Sequence, residues 1–320
     1  MGWYVIEESK NLAALQVLSK KVAGKELVLY RTASGLACIA DAFCPHMGGN
    51  FGFGGKVEGE TIVCPFHHFC FDPNGKCTKT GYGTPPPPGA VLKVYSVAEK
   101  NGFIMFWLHS QDAAPKWEMP EEDQTDWTEI KTKEYILSAH PQEITENSVD
   151  LGHFSVVHKY KNVREIKAAY SDGPFLKGSY GFEREPFGLF GAASKGIKAE
   201  FDFFILGLGY SFVEVTLPVM QLKTRQYVLP LPIEENKTRI LIGMSVNKKY
   251  SPAKIHPALQ LFPRVLTNKL LLNVGFSGYA NDVSQDFKIW ENKTYLNHPA
   301  LAKGDGPIGR YRMWAKQFYE

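Results

Sequence analysis

The 320-residue sequence contains only five cysteines. An odd number with no evident pairing excludes a disulfide-stapled scaffold and argues for a reducing compartment. Charge of one sign is not in excess, with 36 Lys+Arg against 33 Asp+Glu and a formal net charge of +3. No basic run stands out, so nothing here argues for nucleic acid as a partner. The N-terminus reads Met1-Gly2-Trp3-Tyr4-Val5-Ile6-Glu7-Glu8 and lacks a basic region followed by an apolar stretch, so no signal peptide is expected. Ile6 stands where a myristoylation signal has Ser or Thr. No apolar run approaches the ~18 residues of a membrane-crossing helix. The expected localisation is therefore cytoplasmic, with no integral membrane segment. Also missing is a G-x-G-x-x-G following a strand, so the chain shows no flavin or nicotinamide site of its own. There is no internal repeat, and the one biased stretch is the proline run Pro85 to Pro88, a stiff connector.

What is present is concentrated chemistry. Cys44-Pro-His46-Met-Gly-Gly is followed, with seventeen residues between His46 and Cys64, by Cys64-Pro-Phe-His67-His68. Each pair sits among Pro and Gly, which suit tight loops rather than helices. Thiolate plus imidazole suits either a structural zinc or an iron–sulfur cluster. One sulfur and one nitrogen from each of two loops fits a [2Fe–2S] cluster with two Cys on one iron and two His on the other. Cys38, Cys70 and Cys77 read as small buried or half-buried residues.

Residues 1 to about 112 read as β-rich. Glu26–Arg31 and Leu36–Asp41 flank Thr32-Ala-Ser-Gly35 in a hairpin pattern, and Lys56–Val63 forms a second hairpin between the two Cys/His loops. Val91–Val97 and Gly102–Leu108 read as closing strands. Ser110–Glu129 is polar, with Pro115 and Pro120, and reads as a connection. Beyond it, strand-like runs fill residues 175–247. The clearest is Thr238–Val246, with Ile240, Ile242, Met244 and Val246 on one face. Phe203, Phe204, Tyr210, Phe212 and Met244 suit a core better than a pocket wall. Helix is expected from Pro141 and again over 253–295, in two pieces, Phe262–Phe276 and Tyr279–Tyr295. The expected class is α+β, an antiparallel sheet wrapped around long helices.

A second concentration is Glu146-Asn147-Ser-Val-Asp150-Leu-Gly-His153-Phe-Ser-Val-Val-His158. On a helix, Asn147, Asp150 and His153 share one face. His158 would point about 140° away from His153, so one metal between them requires a broken helix, and Gly152 is the candidate break. Downstream, Asn281-Asp282-Val-Ser-Gln-Asp286-Phe-Lys-Ile-Trp290 offers two carboxylates one helical turn apart.

The cysteine and histidine loops, with the aromatic tail His67-His68-Phe69-Cys70-Phe71-Asp72, resemble a Rieske motif, whose spacing makes Cys44, His46, Cys64 and His67 the ligands rather than His68. No second cysteine pair joins the loops, which resembles the lower-potential clusters of soluble ferredoxins and oxygenases. Asp150-x2-His153-x4-His158 resembles the iron motif of Rieske non-haem iron oxygenases, whose two His and one carboxylate leave positions open for O2. The Gln-Asp-x-x-Ile-Trp pattern then implies Asp286 as the carboxylate, with Asp282 the alternative. The chain's ending resembles the branch of 3-ketosteroid 9α-hydroxylases and cholesterol 7-desaturases.

The resemblance implies an all-β Rieske domain at 1–112 and an α+β helix-grip catalytic domain at 113–320. It also implies a [2Fe–2S] cluster, a mononuclear Fe(II), a separate reductase or ferredoxin as electron donor, and a homotrimer. A hydrophobic, steroid-like substrate would be hydroxylated or desaturated with O2. An aromatic hydroxylase or an O- or N-demethylase is the alternative, and a bare electron carrier the rival of another class. Asp150 is expected to link metal sites of neighbouring subunits, and Asn147 to shape the iron site.

Overall fold

The computed structural model describes residues 1–184 and 196–319; part of the strand-rich 175–247 stretch thus lies outside the described residues. The chain divides into two compact units, Gly2–Glu121 with Leu231–Glu235, and Glu122–Pro230 with Asn236–Glu320 and Met1.

The first unit is all β. Strands β1 (Gly2–Glu8), β2 (Val17–Val22), β3 (Lys25–Arg31) and β4 (Ala37–Asp41) open it. The short strands β5 (Lys56–Glu58), β6 (Thr61–Val63), β7 (Cys70–Phe71) and β8 (Cys77–Lys79) follow, and β9 (Val94–Tyr95), β10 (Val97–Lys100) and β11 (Phe103–Leu108) close it. They form three antiparallel sheets ordered β1-β11-β10, β2-β3-β4-β9 and β5-β6-β7-β8. The hairpins expected at β3–β4 and β5–β6 are both present. The expected strand Val91–Val97 is divided, β9 joining one sheet and β10 another. Val28, Tyr30, Ala40, Phe51, Ile62 and Phe71 build a core beneath the short sheet.

The second unit carries one seven-stranded antiparallel sheet. Its strands are β12 (Lys131–Leu137), β13 (Lys161–Asp172), β14 (Phe175–Arg184), β15 (Ile197–Leu206), β16 (Tyr210–Leu217), β17 (Leu222–Glu234) and β18 (Lys237–Val246), in the order β12-β18-β17-β16-β15-β14-β13. Helices α1 (Pro141–Glu146) and α2 (Leu151–Val156) precede β13, α3 (Pro252–Ile255) follows β18, and α4 (Arg264–Asn292) and α5 (Ile308–Ala315) end the chain. The two helical pieces expected after residue 262 are one helix of 29 residues. No Pro interrupts that stretch, and Leu271, Phe276, Tyr279, Val283, Asp286 and Trp290 bury one continuous stripe. Ile240, Ile242, Met244 and Val246 of β18 pack with it in the main core. At about 25 cal/mol per Å², burying each such side chain contributes roughly 1.5–3 kcal/mol. Phe203, Tyr210 and Phe212 are buried as core, as expected. Among the described residues no helix is long and apolar enough to cross a membrane.

The connection after Ser110 is mostly exposed, as its composition predicts, with Met119 and Trp127 buried. Glu122 at its end accepts from Tyr210 (2.5 Å), Tyr227 (2.7 Å) and Arg225 (2.8 Å), so charge pairing holds a polar segment down where apolar periodicity is lacking.

Candidate metal centres and catalytic cavity

In the first unit, one loop follows β4 and the other joins β6 to β7, and they are built alike. Gly48 N–H donates to Cys44 O (2.9 Å) and His68 N–H to Cys64 O (3.1 Å), each closing a turn four residues after its cysteine. Gly48 and His68 both take left-handed backbone, at φ 73° and 53°. The loops meet closely: a Cβ on Gly49 would lie 2.9 Å from Cys64 Sγ, so only glycine fits there. Cys44 and Cys64 are buried side by side, and burial pushes the Cys44 thiol up to about 12. A metal must displace that proton to bind. The His46 and His67 rings lie 4.8 Å apart, and His46 stacks on Phe69 at 4.2 Å. His67 Nδ1 is buried without a hydrogen-bond partner, the condition expected of a nitrogen reserved for a metal. His68 is exposed. All five cysteines are unpaired.

In the second unit, the helix begun at Pro141 breaks twice. A 3-10 turn spans Asn147–Val149, and Asp150 is extended (φ −81°, ψ 100°). Asn147, Asp150 and His153 therefore do not share one helical face as their spacing suggested. Asp150 is instead the N-cap of α2, its Oδ1 accepting from His153 N–H at 3.1 Å. The helix ends at Val156, and this ending, rather than Gly152, frees His158 to turn back beside His153. Their rings lie 5.0 Å apart. From α4, buried Asp286 brings Oδ2 to 3.4 Å from His158 Nε2.

His153, His158 and Asp286 offer ligand atoms all within 4.8 Å of one another. His153 Nδ1 pairs with Asp150 O at 2.6 Å, which leaves the Nε2 lone pair for a metal. Asn147 Nδ2 lies 3.1 Å from that Nε2. Burial lowers the His153 pKa and favours the neutral imidazole a metal requires. His158 Nδ1 is buried without a hydrogen-bond partner. Asp282, the alternative carboxylate, is committed elsewhere: Arg184 holds it at 3.0 Å and Tyr160 OH at 3.1 Å.

The three residues stand in the wall of a cavity of about 1300 Å³, its open mouth included. The rest of the lining is mostly apolar, with Phe154, Phe201, Val213, Val228, Met244 and Trp290 among it. Met244, read from sequence as core, thus also faces the cavity. Tyr160, just before β13, and Arg184, Thr224 and Gln226, within strands, were not singled out by sequence, because isolated polar residues there carry no local signal.

A Rieske [2Fe-2S] domain model matches residues 2–96, and a 3-Ketosteroid 9alpha-hydroxylase C-terminal domain model matches residues 106–319. The cholesterol 7-desaturase nvd of Drosophila melanogaster is 29% identical over 99% of this chain and 74% of its own length. The oxygenase component of 3-ketosteroid-9-alpha-monooxygenase from Rhodococcus rhodochrous is 28% identical over 99% of this chain and 83% of its own. Among solved structures, dicamba monooxygenase bound to dicamba matches with a TM-score of 0.67 at 16% identity, covering 99% of this chain and 96% of that one. Pseudomonas putida NdmA with caffeine gives 0.70 at 17%, covering 98% and 89%. These structures share the fold. With a Rieske domain and a matching C-terminal domain over two-thirds of the chain, the chain belongs to the Rieske non-haem iron oxygenases of the 3-ketosteroid 9alpha-hydroxylase type.

Proposed function

We propose that this is the terminal oxygenase component of a multicomponent system that hydroxylates or desaturates a steroid-like hydrophobe. The observation that carries the reading is the His153–His158–Asp286 group in the wall of a large apolar cavity. Mostly apolar cavities with a few placed polar groups suit hydrophobic ligands. The named steroid-acting relatives span 99% of the chain.

In this reading Cys44, Cys64, His46 and His67 hold the cluster, and His153, His158 and Asp286 the iron. When bound, these centres supply O2 activation with electrons from a separate reductase or ferredoxin. The chain's residues supply the rest. Asp150 O fixes the tautomer and ring angle of His153. Phe154, Phe201 and Val228 line the apolar surface on which a substrate excludes water. Asn147, whose Nδ2 lies 3.1 Å from His153 Nε2, helps shape the iron site.

The working form is a head-to-tail homotrimer in the cytoplasm, a heterologous contact closed by rotation. Asp150 would then link the partner subunit's His67 to His153, its carboxylate holding a proton between them. Product analysis tests the reading: the protein, a surrogate reductase and NADH are incubated with a steroid panel. One O2-dependent hydroxylated or desaturated steroid is expected. Conversion of small aromatics but of no steroid would contradict the reading.

A further inference from the structure

The apolar cavity has one uncharged polar spot on its sheet side. Along β17, Leu222, Thr224, Gln226 and Val228 face the cavity. Arg225 and Tyr227 face the other way, toward Glu122. That division is the two-residue period of a strand. Across the ladder, Gln226 stands opposite Val213 and Thr224 opposite Val215, both also in the cavity wall. An amide and a hydroxyl are thus set side by side among valine, leucine and methionine.

Gln226 Nε2 donates to Thr224 Oγ1 at 3.2 Å, and this is the one side-chain hydrogen bond of Gln226 among the described residues. With that orientation a second amide N–H and the Thr224 O–H remain; with the amide turned over, both N–H groups remain. Either way the pair offers a donor into the cavity. Leaving an amide unmatched in apolar surroundings is unfavourable, so the spot favours a ligand oxygen over a hydrocarbon. Charge decides which oxygen. Arg184, also in the wall, is paired with Asp282 at 3.0 Å. Beside Gln226 and Thr224, away from the iron ligands, a carboxylate would lose its hydration with no cation next to it.

We infer that Gln226 and Thr224 form a specificity subsite for an uncharged ketone or hydroxyl oxygen on the hydrophobic substrate. The inference rests on the proposed function only in taking this cavity as the substrate's.

The test uses the metal-loaded enzyme and two skeletons, a steroid and a monocyclic aromatic, each as ketone, alcohol, carboxylate and hydrocarbon. Dissociation constants come from equilibrium dialysis, and the carbonyl stretch of the bound ketone from difference infrared spectra. Wild type is expected to bind ketone and alcohol about tenfold more tightly than hydrocarbon or carboxylate. Gln226→Leu should abolish that preference, leave hydrocarbon binding unchanged and raise the carbonyl frequency. Thr224→Val, a second near-isostere, should do so in part; unchanged iron content and cluster spectrum report intact folding. A preference that survives both substitutions, or is absent in wild type, overturns the subsite. Gln226-dependent binding of aromatic ketones with no steroid binding would sink the steroid reading and leave the subsite standing. Failure of every ketone and alcohol to bind overturns both.

Discussion

His158 Nε2 lies 3.4 Å from Asp286 Oδ2, although one residue follows a short helix and the other sits deep in the long C-terminal helix. Two groups this close in a buried site can ligate one metal. His153→Ala, His158→Ala and Asp286→Ala are each expected to lose the mononuclear iron while retaining the cluster spectrum. Asp282→Asn is expected to keep the iron, because Arg184 and Tyr160 already hold that carboxylate. Metal analysis beside visible and EPR spectra checks all four. Iron lost from Asp282→Asn but kept in Asp286→Ala would reverse the assignment.

Asp150 has two separable duties. Its carboxylate caps α2 and its carbonyl orients His153. Asp150→Asn retains a capping oxygen and the carbonyl, so both metals and substrate binding should persist. Turnover should fall by orders of magnitude, with a reduced cluster that no longer reoxidises on mixing with O2 and substrate. Asp150→Ala should in addition cost about 1 kcal/mol of stability through the lost cap. Wild-type reoxidation in Asp150→Asn would remove the proposed link.

Gly275 sits in the interior of α4, where glycine costs about 1 kcal/mol relative to alanine. The structure supplies a reason: a Cβ there would lie 2.6 Å from Met244 Cε, and both residues line the cavity. Gly275→Ala is therefore expected to displace Met244 into the cavity, raising KM for the largest substrates about tenfold and sparing small ones. Equal KM changes for all sizes would show that the glycine serves the helix alone.

Gly306 (φ 84°) packs against the turn before α2. A Cβ would lie 2.4 Å from Val149 O, and Asp305 O accepts from Leu151 N–H at 3.1 Å. Gly306→Ala should shift the Asp150–His153 segment, weakening iron retention while the cluster remains; iron content after dialysis against a chelator measures it.

Arg225 pairs with both Glu122 and Glu214 in a half-buried network. Arg225→Met should destabilise the catalytic unit by roughly 3–5 kcal/mol, since Glu122 loses its arginine and Glu214 keeps only Lys223. Burial raises the Glu214 pKa, but Lys223 and Arg225 outweigh it and the net value lies below the ordinary glutamate range. A depressed carboxylate stabilises above its unfolded pKa and loses that contribution as pH falls through the folded value. Acid unfolding should therefore begin at higher pH in Glu214→Gln. Denaturant midpoints across pH decide it.

The paired cysteine and histidine loops, and the approach of His153 and His158, were legible because cysteine, histidine and proline at fixed spacing leave few alternatives. The hairpin at Thr32–Gly35 was legible for the same local reason. The double break around Asp150 was not. A helix pattern and a capped restart look alike in sequence, and the contact that separates them, Asp305 O on Leu151 N–H, comes from the far end of the chain. Nor was the commitment of Asp282 to Arg184, which depends on strand and helix meeting across the cavity. Gln226 and Thr224 gave no signal because their meaning lies in the apolar neighbours that the sheet brings beside them.

The most direct test of the central claim is iron analysis of anaerobically purified protein and of Asp286→Ala, with a Rieske-type EPR spectrum recorded on each. The account predicts the cluster's two irons plus one more in wild type, and loss of only that one in the variant with the spectrum intact. Wild type that holds the cluster irons alone, or a colourless protein with a single zinc at the cysteine loops, would contradict it.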